Sequence, residues 1–351
     1  MNKFPDIFSI FGESLKLPSY FEGRVLNSVD DSFYSVFGIY EIVKAVDGLI
    51  NCNGEQFSIE KSGRGGSYIN KTKEGEAIFS AVKAYEHMVE YDFFYVSKLN
   101  PKAYIFCNSI IEHKIRSDYF EIRSSENLEK IVDLLNNFVN KIILNLNSKE
   151  FMKRNRNYFR GVVKNYRELD LFVKRIIEKK KKVFVSRIEF GYREDVLCPR
   201  PGEDFSSYYK LKKSKESFFK NWKVNSAFKG VIAYIWRFEC SSSRRLGWHA
   251  IFFHDYDFHH NDVVRLLGEY WTEKITKGSG FYIDCHDVKG KYRKCGIGLI
   301  ENSDLEMAGN KKCDELRKAI DFMAGVDYYA KLSLPKKGRR LGHSGRLIAS
   351  K

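Results

Sequence analysis

Between about residues 165 and 345 the sequence predicts an α+β fold, a mostly antiparallel sheet with helices packed on one side, joined to a mainly helical N-terminal region. Three observations predict it. KVFVSRIEFGY, GVIAYIWRFE and GWHAIFFHD are short runs rich in Val, Ile and aromatic residues, the composition of strands set against a core. The second and third are separated only by CSSSRRL, which suits an antiparallel hairpin and is too short for a parallel crossover. Strands and helical patterns follow one another as β, ββ, α, ββ, α, an order that does not build a regular parallel sheet.

Taken in order, residues 1 to 148 form a region to which the sequence assigns no role. In EGEAIFSAVKAYEHMVEY, residues Ile78, Val82, Tyr85 and Met88 recur at helical spacing. SSENLEKIVDLLNNFVNKIILNL is a second helical segment, with Ser124 or Ser125 as N-cap. SGRGGS at 62 to 67 lacks the Gly-Lys-Ser/Thr order of a phosphate loop and reads as a surface turn. A basic connecting segment, 149 to 164, leads into a basic helix over about 160 to 180 and then the first strand. After a polar loop with Pro199 and Pro201, the central hairpin pairs 230 to 239 with 247 to 254. HHNDVVRLLGEYWTEKIT is the next helix, capped by Asn261 or Asp262, with Val263, Leu266, Leu267, Tyr270 and Trp271 on one stripe. TKGSGFYIDC and KCGIGLIE are two further strands, 313 to 329 is a closing helix, and 346 to 351 is a basic tail.

A chain of 351 residues with 43% hydrophobic residues is long enough for two domains. Asp6 and Glu13 interrupt any N-terminal leader, and no apolar run approaches the ~18 residues of a spanning helix, so the expected location is the cytoplasm. Cys52, Cys107, Cys198, Cys240, Cys285, Cys295 and Cys313 are odd in number, scattered and free of CxxC, which fits reduced thiols. The net charge of +15 is concentrated: −4 over residues 1 to 148, +12 over 149 to 223, zero over 224 to 330 and +7 over 331 to 351. Cationic blocks interleaved with aromatics (KRNRNYFRGVVKNYR, SYYKLKKSKESFFKNWK) suit phosphate neutralisation and base stacking. They point to a nucleic-acid partner, single strands included, rather than a membrane. Lys210, Lys212, Lys213 and Lys215, with Arg187, Arg244, Arg245, Arg339 and Arg340, are the candidate contacts.

The chemistry-bearing stretch is LGWHAIFFHD. Strand alternation puts His249, Ile251 and Phe253 on one face and His254 on the other. Glu239 becomes a neighbour of His249 if the hairpin register allows it. One imidazole and one carboxylate make a thin divalent-metal site; the alternative is a half-buried structural histidine. Cys285, His286, Cys295 and Cys313 lack the closely paired ligands of a zinc site, and His259 and His260 read as part of a turn and helix cap.

The ordered run of VFVSRIEFGY, AYIWRFE with LGWHAIFF, LLGEYWTEKITKGSGFYIDC, YRKCGIGLI and LRKAIDFMAGVDYYAKL resembles the inovirus gene-II-type replication protein family, also described as the YagK/YfjJ C-terminal domain family, over about half the chain. The resemblance implies a His-hydrophobic-His endonuclease that starts rolling-circle replication of a phage or mobile element, with host replication proteins as possible partners. In that chemistry Mg2+ or Mn2+ polarises a phosphate while a helix-borne tyrosine attacks it. His249 matches the family's first histidine and Glu239 its acidic residue, while Ile251 occupies the second histidine's place. The family's Tyr-x-x-Lys falls on Phe322-Met-Ala-Gly325, so Tyr329 and Tyr328 are the only nearby substitutes, the former about 10 Å further along the helix. The implied function is a replication initiator with degenerate catalytic motifs, the alternative a non-catalytic DNA-binding regulator or interference protein on the same scaffold.

Overall fold

The computed structural model describes residues 27–50, 52, 54–63, 65–89, 97–123, 126–180, 182–194, 196–200, 202–240, 245–258, 262–285, 298–301, 311–335 and 338–345. Ser124, Ser125, Arg244, His259, His260, Asn261, His286, Cys295 and the 346–351 tail lie outside them. Two compact units emerge, one holding Asp30–Val162 with Asp327–Lys331, the other Val163–Val326 and the residues from Leu332 onward.

The first unit is mainly helical: α1 (Asn27–Leu49), α2 (Lys73–Val89), α3 (Pro101–His113), α4 (Leu128–Leu146) and the first half of α5 (Lys149–Lys179). Local chemistry sets the helix starts. The Thr72 hydroxyl accepts from the Gly75 amide at 3.0 Å, Asn100 accepts from Lys102 ahead of Pro101, and Ser148 accepts from Phe151 at 3.1 Å. On α4, Val132, Leu135, Phe138, Val139 and Ile142 form the buried stripe. Asn136 on the same helix is buried yet satisfied, because its amide accepts from Gln56 and Phe57 and donates to the Phe57 carbonyl. It thereby clamps the hairpin of β1 (Phe57–Lys61) and β2 (Ser67–Lys71). The described residues of SGRGGS turn that hairpin: the Ser62 amide donates to the Gly66 carbonyl, and Gly65 sits at a φ of +84° that favours glycine.

The second unit is built on a six-stranded antiparallel sheet. Its order is β10 (Leu341–His343), β5 (Val231–Cys240), β6 (Leu246–Asp255), β4 (Lys182–Tyr192), β7 (Gly280–Asp284), with β8 (Gly298–Glu301) pairing the first residues of β4. The central hairpin is thus the expected one, and the α+β class is observed. The short pair β3 (Ser97–Leu99) and β9 (Ala330–Leu332) stands apart from this sheet.

Helices cover both faces of the sheet, not one. On one face, Leu169, Phe172, Val173 and Ile176 of α5 and Leu316, Ile320 and Met323 of α8 (Lys311–Tyr329) pack on Val183, Val185, Ile235, Ile251 and Phe253. On the other, α6 (Ser206–Phe219) and α7 (Val263–Glu269, continued by a π turn over Tyr270–Ile275) bring Phe218, Phe219 and Trp271 onto Phe190, Trp248 and Phe252. The physical reason is that β4, β5 and β6 are buried along nearly their whole length, so each face has apolar side chains to cover. Gly268 on α7 leaves room for the Tyr282 ring of β7, which an added Cβ would meet at 2.4 Å.

Cys198 and Cys240 are joined as a disulfide, tying the segment after β4 to the end of β5, whereas the sequence suggested free thiols. No helix among the described residues is long and apolar enough to cross a membrane.

Candidate functional site

Register decides what the strands bring together. His249 on β6 stands opposite Glu189 of β4 on one side and Arg237 of β5 on the other. Two residues along the same face, Arg187 and Glu239 complete the group, since alternate side chains share a face. Glu239 itself lies opposite Gly247, so it approaches His249 diagonally. Five polar or charged side chains are therefore gathered within an otherwise apolar face, and Arg187, Glu189, Arg237 and His249 are all buried.

The hydrogen bonds assign the histidine's proton. Arg187 donates to His249 Nδ1, from its terminal nitrogen at 2.9 Å and from Nε at 3.3 Å. Because a guanidinium is always a donor, Nδ1 must be the acceptor, and the ring proton sits on Nε2. Nε2 is in turn 3.1 Å from Glu189 Oε1 and 3.2 Å from Glu239 Oε2, so the N–H is shared between two carboxylates. Arg237 donates to the Met323 carbonyl of α8 at 2.7 Å and lies 3.9 Å from Glu239 Oε1, an oxygen with no hydrogen-bond partner. Two guanidiniums face two carboxylates around one neutral imidazole. That balance is what makes buried charge tolerable.

These donors do not fit the divalent ion that the resemblance implies. A metal would need the Nε2 lone pair, hence a proton on Nδ1, where Arg187 already donates. Two arginines also neutralise the carboxylates that would attract a cation. Among the described residues, no group of three or more His, Cys, Asp and Glu is arranged to hold a metal.

Phe322 lies over this network, its ring centroid 5.9 Å from the Arg187 guanidinium carbon. A phenyl ring thus occupies the helix position that the resemblance would give to a tyrosine nucleophile. Tyr328 and Tyr329 belong to the other unit. Tyr329 is buried edge-on to Tyr40 at 5.9 Å, and its carbonyl accepts from the Asn100 amide. Tyr328 packs on Phe159 at 4.7 Å; burial, with Asp47 nearby, pushes its hydroxyl up to about 12. Neither phenol is a ready nucleophile there.

The candidate DNA contacts divide. Lys210 and Lys213 are exposed on α6, and Lys212 is half-buried; Lys210 is 3.7 Å from Glu194 and Lys212 3.8 Å from Glu216. Lys215 is buried instead, its ammonium 3.2 Å above the Trp236 ring, and burial lowers its pKa to about 7. Arg187 is likewise buried. Neither of these two reaches solvent as a phosphate contact would. Arg245 and Arg339 are exposed, and Arg340 donates to the Leu332 carbonyl. His254 lies on the opposite face, its ring 2.8 Å from the Ser186 hydroxyl. Of the zinc alternative, Cys285 is buried and carries a thiol.

Sequence reasoning missed Glu189 and both arginines as members of the network. The signal was there: RIE at 187–189 and RFE at 237–239 place the same Arg-apolar-Glu dyad in both strands flanking β6. Comparison with protein-family models, with curated proteins and with solved structures finds no match to this chain.

Proposed function

We propose that this is a non-catalytic DNA-binding protein, built on a scaffold like that of the rolling-circle initiators, in which a buried charge network stands where a nicking centre would be. One observation carries this reading: Arg187 donates to His249 Nδ1, leaving Nε2–H aimed at Glu189 and Glu239. A general acid–base or metal role would need that nitrogen exposed and its lone pair available, and His249 is only 2% accessible. Phe322 in place of a tyrosine supports the same conclusion, since it puts no phenolic oxygen at that helix position to form a bond to phosphorus. DNA binding rests on the concentration of positive charge between residues 149 and 223. Regulation of, or competition for, a replication origin is the role such a protein would fill.

The test is covalent capture. Incubated with labelled single-stranded origin DNA and Mn2+, then denatured, the protein is expected to show no DNA-shifted band. The double change Ile251→His with Phe322→Tyr is expected to remain inactive while Arg187 is present, and to gain adduct only when Arg187→Leu is added. An abundant adduct in the unaltered protein, abolished by Tyr329→Phe, would identify an active nickase and sink the proposal.

A further inference from the structure

The N-terminal unit has no role in the reading above, yet it carries an evenly spaced row of positive charge. On α5, Lys149, Lys153, Arg156 and Arg160 are all exposed. Their spacing of four, three and four residues matches 3.6 per turn, so they line one side of three successive turns over about 16 Å. Lys164 and Arg167 continue the same phase on the helix and are exposed as well. No carboxylate pairs with any of the six among the described residues. The contrast is with Lys210 and Lys212, which have Glu194 and Glu216 beside them, and with Lys174, which is bonded to Asp170 at 2.7 Å.

A row of like charges repels itself, and among the described residues no carboxylate of the helix comes within ion-pair reach of it. A polyanion would offset it. The opposite side of α5 is already committed to the fold through Phe151, Tyr158 and Val162, so the helix has no apolar face to lay into a lipid surface. The row also contains no aromatic residue: Phe159 and Tyr158 are turned away and pack on each other, and Phe159 also packs on Tyr328. Without rings to stack bases, the row suits the phosphates of a duplex better than an unpaired strand.

We infer that Lys149, Lys153, Arg156 and Arg160 form a sequence-independent contact surface for the phosphate backbone of duplex DNA. The inference rests on the DNA-binding reading above and adds the form of DNA and the unit that holds it. The helical unit grips the duplex without reading sequence. In that arrangement it supplies affinity and salt dependence, and any sequence preference arises elsewhere on the chain.

The experiment uses the full chain and a short fluorescein-labelled duplex of arbitrary sequence, followed by anisotropy as KCl is raised from about 50 to about 200 mM. The stripe variant is Lys153→Glu, Arg156→Glu, Arg160→Glu. A control of equal charge change in the same unit, Lys73→Glu, Lys98→Glu, Lys130→Glu, uses exposed lysines off the row. The stripe variant is expected to bind about tenfold or more weakly at 0.1 M salt, with a log–log slope shallower by about 2.7, three contacts at about 0.9 each. The control is expected to stay within about twofold, and circular dichroism to be unchanged in both. Equal binding by the stripe variant, or equal loss in the control, overturns the inference while leaving the proposed function standing. So does a wild-type protein that binds single strands but not duplex. Binding to anionic vesicles that is tighter than to duplex, and lost in the stripe variant, identifies a lipid surface and overturns it too. A wild-type protein that binds no nucleic acid at low salt removes both readings.

Discussion

The two faces of the central strands are made by the same three segments of chain and could hardly differ more. One face of β4, β5 and β6 holds Arg187, Glu189, Arg237, Glu239 and His249 beneath α8. The other holds rings: Phe190 stacked on Trp248 at 4.2 Å, Phe219 on Tyr234 at 3.8 Å, and Trp271 edge-on to Trp248. Ring packing gains from every buried area and tolerates small changes of shape. Buried charges gain only if every partner is in place. The comparison teaches that the ring face stabilises this fold, while the charged face is specified by its hydrogen bonds.

Removing one charge tests that difference most strongly. Glu189→Ala is expected to cost about 3–5 kcal/mol, because it leaves the arginines around His249 with one carboxylate fewer. Urea unfolding measures it. The pair Arg187→Met with Glu189→Leu should cost less than Glu189→Ala alone, since both charges leave together; a cost equal to the sum of the single changes would mean the network is ordinary packing. On the ring face, Phe252→Met is expected to cost about 1.5 kcal/mol or less, a swap that keeps most of the buried volume. A larger loss there than at Glu189 would reverse the comparison.

A pH-dependent effect concerns Lys215, a buried lysine on the ring face. Burial pushes Lys215 down to about 7 from 10.5, against the opposing pull of Glu216. Between those pH values the unfolded chain keeps a proton that the folded protein has released, so stability rises with pH across the window and falls as pH drops towards 7. Lys215→Met removes the proton and the slope. It is expected to be more stable than the wild type at pH 7, by a margin that narrows towards pH 9; parallel urea midpoints at the two pH values would show Lys215 to be solvated instead.

Much of the fold was legible because it is written in local patterns. The hairpin of β5 and β6, the closing helix and the antiparallel character follow from short apolar runs, a brief loop and helical spacing. The second layer of helices was not. Phe190, Trp248 and Phe252 were read as strand composition, although rings on that side of three adjacent strands need something to cover them. His249 and Glu239 were recognised and do meet, at 3.2 Å. Their roles depended on a register that no single strand encodes: only once Glu189 and Arg237 fall opposite His249 does Arg187 reach its Nδ1. Lys215 looked like its neighbours along the sequence, and one turn of helix separates a solvated lysine from a buried one.

The edge strand β10 has a consequence for the order of events during synthesis. It pairs residues 341–343 with Arg237, Trp236 and Ile235, and flanking bonds tie Arg340 to Phe238 and Ser344 to Tyr234. A ribosome must therefore make about a hundred more residues after β5 before that side of the sheet can be sealed. Until then β5 offers an open row of amides and carbonyls, the template on which nascent chains misassemble. Crowded polysomes or a premature stop before residue 341 would leave that row uncovered, so the yield of folded protein should depend on how quickly translation passes through the last segment of the domain.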